Sequence, residues 1–240
     1  CDRISPMSGH SKWSTIKRQK GVTDSKRGAA FTKLGNFIAI ATREGGSGDP
    51  DSNFKLRLAI EKARQANMPK ENIQRSIDRG LGKGGEQVLE NGIFEGFAPG
   101  GVAIVVETIS DNNTRTVNEL KMVFSKMGGN LGSLGSVSYL FTREGEIEVE
   151  NTEGIFEKAV EVGALDVEDN IVFTEPEDLH KIKEELIKAG LNVLDAGLIF
   201  RPNKETMITL SNPEQEEKVH NLLSAIDDLD DVQNVFSNLA

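Results

Sequence analysis

The chain has 240 residues, with 38 Asp and Glu against 28 Lys and Arg, so its net charge at neutral pH is −10. Such an acidic protein is expected to avoid non-specific binding to nucleic acid and to anionic membranes. The single cysteine, Cys1, excludes an intrachain disulfide and a cysteine-based zinc site. The spacing of the three histidines places no two metal ligands on one helix, so we expect no metal and no other cofactor.

This net charge is divided unevenly along the chain. Residues 1–83 contain 17 Lys and Arg against 8 Asp and Glu, a net charge of +9, whereas residues 84–240 contain 11 and 30, a net charge of −19. A polyanionic partner is therefore expected at the basic end.

The remaining composition indicates a cytoplasmic protein. No apolar run approaches the roughly 18–20 residues that span a bilayer, and no leading segment resembles a signal peptide. One cysteine fits a reducing compartment. Met7 is the expected natural start, so residues 1–6 are predicted to be a start-site remnant or an appended segment; lipidation of Cys1 is the alternative.

The first basic stretch, residues 7–24, has too few apolar residues to fold alone. We predict an arm that becomes ordered on a polyanion; a merely solubilising terminus is the alternative. Trp13 could stack on an unpaired base, or it could dock onto the helices that follow. The candidate nucleic-acid-binding residues here and just beyond are Lys12, Trp13, Lys17, Arg18, Lys20, Lys26, Arg27 and Lys33.

Three helices are predicted next, over residues 25–43, over residues 53–66, and from Pro69 to Gly80, because apolar residues recur at helical spacing in each. Their basic faces are either an ordinary solvated surface or a nucleic-acid surface, and the local charge of +9 favours the second. Residues 80–85 contain four glycines and predict a flexible linker.

The chain then alternates between strand and helix patterns. Before residue 143 we predict a strand at residues 102–106, a helix opened by a capping box at Thr116 and Glu119, and a strand through Val137, Tyr139 and Phe141. After residue 202 we predict a strand at residues 207–210, a helix from Asn212 and a strand at residues 232–236.

Between these two βαβ halves lies a complete βαββαβ pattern, with strands at 145–150, 165–168, 170–174 and 192–200 and helices at 153–163 and 176–189. The predicted fold class is therefore α+β, with an N-terminal three-helix domain followed by two ferredoxin-like α/β domains, one inserted in the other. The predicted boundaries are 7–83 for the helical domain, 84–142 plus 203–240 for the first α/β domain, and 143–202 for the inserted one.

Few patterns point to chemistry. The glycine-rich stretch at residues 128–135 is a candidate phosphate cradle, but it follows a helix rather than opening one, which favours a connecting loop. His180 and His220 have no nucleophile nearby in sequence, and the acidic runs fall on predicted helix surfaces or a terminal turn. We predict a binding factor without catalytic residues, not an enzyme.

Several motifs closely resemble the YebC/PmpR family from Met7 to the end of the chain. They are Met7-Ser-Gly-His-Ser-Lys-Trp13, Asp24-Ser-Lys-Arg27, Asn67-Met-Pro-Lys-Glu-Asn72, Phe94-Glu-Gly-Phe-Ala-Pro-Gly-Gly101, Asp111-Asn-Asn-Thr-Arg-Thr-Val117, Gly128-Gly-Asn-Leu-Gly132 and Asp231-Val-Gln-Asn-Val-Phe236. The resemblance adds Gly9, His10 and Ser11 to the candidate nucleic-acid-binding residues. Phe94 and Phe97 stand where many members carry tyrosine.

This resemblance implies a three-domain cytoplasmic factor of one of two kinds. Mitochondrial members are translational activators of cytochrome c oxidase. Bacterial members resemble either transcriptional regulators that bind promoter DNA or ribosome-associated factors that relieve stalling at proline-rich sequences.

The first hypothesis is a monomeric translation factor whose residues 7–83 bind the ribosome through ribosomal RNA, with tRNA as a further candidate partner. The alternative is a promoter-binding transcriptional regulator, which lacks a clear recognition helix in the sequence. A weaker third hypothesis is a small-molecule sensor formed by the paired α/β domains, although no polar cluster marks a pocket.

Overall fold

The computed structural model describes Trp13 and residues 27–83, 88–150 and 152–240. The helices are α1 (Arg27–Gly45), α2 (Phe54–Gln65), α3 (Lys70–Gly80), α4 (Asn113–Lys126), α5 (Ile155–Glu161), α6 (Leu179–Lys188) and α7 (Pro213–Asp227). The strands are β1 (Glu90–Phe97), β2 (Ala103–Ser110), β3 (Asn130–Leu131), β4 (Phe141–Val149), β5 (Asp166–Glu168), β6 (Ile171–Thr174), β7 (Val193–Pro202) and β8 (Val232–Ser237).

The first three helices form the helical domain. Ile38 of α1, Leu56 and Ile60 of α2, and Ile77 of α3 are buried in one apolar cluster. The last residue of α3, Gly80, lies so close to α1 that a Cβ atom there would be 2.4 Å from the carbonyl oxygen of Ala39. The three predicted helices are confirmed, and α2 and α3 both pack on α1.

The first α/β domain contains an antiparallel sheet in the order β3-β1-β2-β8. Helices α4 and α7 contribute Phe124 and Leu222 to the same buried cluster as Ile104 and Val106 of β2. The inserted α/β domain has the order β5-β6-β4-β7, which is the antiparallel arrangement of the predicted βαββαβ unit. The predicted fold class is thus confirmed.

The first α/β domain differs from the prediction in several places. Strand β1 was not predicted, and it forms a hairpin with β2 through the turn Pro99–Gly101, where Gly100 has a φ of 85°. The residues before Phe141 form a 3-10 turn at Ser138–Leu140 rather than a strand. Near residues 207–210 only an isolated bridge between Ile208 and Leu239 forms. In each case tertiary pairing, which local pattern does not show, decides the conformation.

The predicted capping box at Thr116 is also wrong. Helix α4 begins earlier, after the N-cap Asn112, whose side chain accepts a hydrogen bond from the backbone N–H of Arg115. The Thr116 hydroxyl instead donates to buried Asp231, 2.7 Å away, and Arg115 donates to both oxygens of the same carboxylate. These bonds tie the start of α4 to the start of β8.

Candidate nucleic-acid interface

The structure describes the side chains of two of the predicted nucleic-acid-binding residues, Trp13 and Lys33. Of Arg27 it describes the backbone, at the first position of α1. The other predicted residues lie outside the described residues; they are Gly9, His10, Ser11, Lys12, Lys17, Arg18, Lys20 and Lys26.

The Trp13 side chain is 2% exposed and belongs to the core of the first α/β domain, together with Ala98, Val102 and Leu120. A ring buried in this way cannot stack on a base. The predicted stacking is therefore wrong for this conformation, and so is docking onto the helices of the helical domain. A local sequence pattern does not reveal which distant core an isolated tryptophan joins.

We expect the intrinsic fluorescence to report this burial, because Trp13 is the sole tryptophan of the chain. A buried indole should emit at a shorter wavelength than after unfolding in urea, and it should be poorly accessible to acrylamide. Addition of ribosomal RNA should leave the emission unchanged. Strong quenching by RNA under native conditions would show instead that the ring leaves the core and stacks.

Lys33 also makes an intramolecular contact. Its ammonium group donates a hydrogen bond to the backbone carbonyl of Asp227, the last residue of α7. The C-terminus of a helix carries partial negative charge, so this contact stabilises the packing of the helical domain on the first α/β domain. A phosphate-binding role for Lys33 does not fit this conformation.

The basic face of α2 points largely towards the inserted domain. The Lys62 ammonium lies 3.0 Å from the Asp195 carboxylate, and Glu61 lies 2.7 Å from Lys183. Leu58 joins the inserted domain's apolar cluster, and the ring of Phe54 lies 3.9 Å from that of His180. Part of the local positive charge therefore stabilises an interface within the molecule.

Four exposed cations of the helical domain have side chains without an ion pair or hydrogen bond among the residues that the structure describes. They are Arg43 on α1, Arg64 on α2, and Lys70 and Arg75 on α3. We call this set the free cations. Glu71, one turn before Arg75, forms no ion pair with it within the described part of the chain. None of the four is among the predicted nucleic-acid-binding residues, because helical spacing alone does not distinguish a free cation from a paired one.

The last residue of the candidate phosphate cradle, Gly135, and two residues just after it bind an anion of the protein itself. The backbone N–H groups of Gly135, Val137 and Ser138 donate to the Glu95 carboxylate at 2.8, 2.6 and 2.9 Å. Glu95 is 1% exposed. Burial raises its pKa, but the hydrogen bonds from Val137, Gly135 and Ser138 outweigh burial and leave the pKa below its ordinary value. Within the stretch 128–135, Asn130–Leu131 form β3 and the Gly135 N–H is used by Glu95, so the stretch is partly strand rather than wholly a connecting loop.

A second buried charge network lies in the inserted domain. The Arg201 guanidinium donates to Glu144, Asp166 and Glu168 at 3.2, 2.8 and 2.5 Å and lies 3.6 Å from the centre of the Phe173 ring. Burial acts to lower the pKa of Arg201, but pairing with these carboxylates raises it overall. Burial acts to raise the pKa of Asp166, but its bond to Arg201 lowers it overall.

An open groove of about 330 Å³ separates α2 from β7 and α6, rather than lying between the two α/β domains. Its charged lining includes Lys62, Glu61 and Lys183, which are paired with one another or with Asp195, and also Arg64, one of the free cations. This groove gives no support to the small-molecule hypothesis. Within the described residues, no group of three or more His, Cys, Asp or Glu side chains could hold a metal ion. None of the described helices combines the length and apolar character needed to cross a membrane.

By its fold, the protein is a three-domain molecule. A three-helix domain with free cations is followed by an α/β domain that carries a second α/β domain between its strands. The family model of the TACO1/YebC protein N-terminal domain matches residues 11–83, and that of the TACO1/YebC second and third domain matches residues 89–239. The chain therefore belongs to the TACO1/YebC family.

Relatives match over nearly the whole chain. A probable transcriptional regulatory protein of Chloroflexus aurantiacus is 48% identical, over 97% of this chain and 95% of the relative. One from Aquifex aeolicus is 46% identical over the same shares. The crystal structure of a conserved hypothetical protein from Aquifex aeolicus matches with a TM-score of 0.88 and 44% identity, over 96% of this chain and 97% of that one.

Proposed function

We propose that this protein is a non-enzymatic, nucleic-acid-binding regulator of gene expression that acts on the ribosome as a translation factor. Its helical domain contacts ribosomal RNA, and the factor relieves stalling at proline-rich sequences, as the resemblance to ribosome-associated family members implies. The observation that carries this proposal is the set of free cations on a domain of net positive charge, attached to strongly acidic α/β domains. A ribosome presents both phosphates and basic protein surfaces, so it can bind both parts.

The burial of Trp13 changes the expected chemistry of RNA binding. With the aromatic ring in a core, affinity comes from phosphate contacts of Arg43, Arg64, Lys70 and Arg75, together with the basic residues outside the described ones. Such contacts release counterions, so binding should weaken steeply as salt is added.

Promoter binding is the second candidate function, because the relatives carry the name of probable transcriptional regulatory proteins. One structural observation favours it. A four-residue turn joins α2 to α3, and Asn67 in that turn has a left-handed φ of 59°, as in a helix-turn-helix. Against it, α2 and α3 pack mainly on α1 rather than on each other.

The test is co-sedimentation of the full chain with purified bacterial ribosomes over a series of salt concentrations. We compare the wild type with a variant in which the four free cations are replaced by Gln: Arg43→Gln, Arg64→Gln, Lys70→Gln and Arg75→Gln. Loss of four phosphate contacts should weaken binding at least about tenfold and reduce the magnitude of the slope of log affinity against log salt by about 3 to 4.

The matched control removes four exposed lysines from the acidic α/β domains: Lys121→Gln, Lys126→Gln, Lys188→Gln and Lys218→Gln. Its binding should stay near that of the wild type. Equal weakening by both variants would contradict a specific role of the helical domain. Failure of the wild type to co-sediment, with binding to one promoter about 10³-fold above random duplex, would establish the transcriptional alternative.

A further inference from the structure

Helix α5 of the inserted domain is apolar on two faces. Ile155 and Ala159 are 6% and 0% exposed and belong to the core of the domain. Phe156 and Val160 are 62% and 59% exposed on the outside. A helix that covers one sheet needs a single apolar face, so the second face is available for a contact outside the domain.

Phe156 and Val160 are four residues apart, so they lie on one side of α5, one turn above the other. They form the only pair of exposed large apolar residues at this spacing in the described part of the chain; Met122 and Leu134, for example, stand alone. Isolated exposed apolar residues are ordinary, but aromatic residues, Phe among them, are enriched in protein interfaces. We call this pair the α5 ridge.

Carboxylates run beside the α5 ridge. Glu157 and Glu161 are exposed and also four residues apart, so they form a parallel acidic stripe on the outer surface of the same helix. Glu153 adds a third carboxylate just before the helix, and Lys158 is the sole cation of α5. This stripe repels the phosphates of RNA and attracts lysine and arginine.

From this geometry we propose that the α5 ridge is the docking site for a lysine- and arginine-rich segment of a ribosomal protein. Apolar side chains of that segment cover Phe156 and Val160, and its cations meet Glu157 and Glu161. The inference rests on the proposed function and adds to it a protein contact by the acidic end of the molecule.

The experiment places the photo-crosslinking residue p-benzoylphenylalanine at Phe156 of the full chain and irradiates it with purified, salt-washed ribosomes. A control chain carries the same residue at Met122 on α4. Met122 is 63% exposed, much like Phe156, but its neighbours in sequence include Lys121 and Lys126 instead of an acidic stripe. We expect a crosslink from position 156 to a ribosomal protein, resistant to ribonuclease, that maps to a segment rich in Lys and Arg. Position 122 should not crosslink to that segment.

Binding measurements separate docking from folding. The double variant Phe156→Ser and Val160→Ser should weaken ribosome binding about tenfold, as loss of an aromatic anchor does, with an unchanged thermal unfolding midpoint because both residues are exposed. The variant Glu157→Lys and Glu161→Lys should do the same, whereas Glu214→Lys and Glu217→Lys on α7 should change binding by less than about twofold.

Two negative results are distinguishable. If wild-type protein co-sediments with ribosomes but position 156 crosslinks to RNA or to nothing, the docking site is wrong and the proposed function stands. If wild-type protein does not co-sediment, both fail together.

Discussion

Replacing Arg201 with methionine should lower the free energy of unfolding by about 3–5 kcal/mol, the usual effect of removing one partner of a buried ion pair. Arg201 is 8% exposed and is the shared partner of Glu144, Asp166 and Glu168. Methionine fills similar space over the Phe173 ring but removes the buried cation that these carboxylates share. Arg201→Lys should cost less, because it keeps the charge and loses the planar fork that reaches several carboxylates.

Lys204 supplies the matched control. Its ammonium lies 3.5 Å from Asp166 and 3.3 Å from Glu168, but its side chain is 59% exposed. Lys204→Met should therefore cost less than about 1 kcal/mol, because solvent screens an exposed pair. Urea unfolding monitored by circular dichroism gives both free-energy changes. Equal destabilisation by the two variants would show that burial does not increase the contribution of the Arg201 network to the free energy of unfolding.

Replacing Glu95 with glutamine should cost about 2–4 kcal/mol, because the buried charge is lost and an amide N–H₂ is turned towards the Gly135 N–H. The Glu95 carboxylate accepts from three N–H groups, and a glutamine offers one acceptor oxygen. Glu90→Gln, an exposed change on the same strand, should stay within about 0.5 kcal/mol of the wild type. Amide hydrogen exchange at Gly135 should also accelerate in Glu95→Gln, because Val137 and Ser138 share the other oxygen, which the amide oxygen of glutamine replaces.

The effect of Glu95→Gln should depend on pH. The folded pKa of Glu95 lies below its unfolded value, which is about 4.3. Its stabilisation is then fully present above the unfolded pKa and is lost as the pH falls through the folded pKa. Unfolding free energies of wild type and variant should differ most near neutral pH and converge in acid. A gap that stays constant from neutral pH into acid would show that the pKa of Glu95 is not lowered.

Much of the fold followed from local pattern. Apolar residues at helical spacing predicted α1, α2 and α3, and the βαββαβ pattern predicted the inserted domain, because amphipathic periodicity reflects which face of an element is buried. Strand β1 escaped prediction because Gly92, Glu95 and Gly96 interrupt its apolar pattern. Contacts with distant residues account for these positions. At Gly96, for example, a Cβ atom would lie 2.6 Å from the Phe124 ring, so a side chain does not fit.

The candidate site was less predictable than the fold. Lys33 and Lys62 look in sequence like any cations on a basic helix, yet one binds a carbonyl of α7 and the other binds Asp195. Arg43 and Arg75 look the same and have free side chains within the described residues. Whether a cation is available to bind a phosphate depends on which residues lie next to its side chain. For Lys33 and Lys62 those partners are more than 100 residues away in the sequence.

The sequence by itself determined the division of charge, +9 before residue 84 and −19 after it, together with the family motifs and the order of domains. These properties depend on composition and local periodicity, which folding does not alter. Only the tertiary structure decided how the charges and the aromatic ring are used. It buried Trp13 in a core, paired part of the basic face with the acidic inserted domain, and placed the Glu95 carboxylate against the backbone N–H groups at the end of the glycine-rich stretch and just after it. Each of these outcomes depends on contacts between segments that are distant in sequence, and such contacts produce no periodic pattern of residues from which they could be predicted.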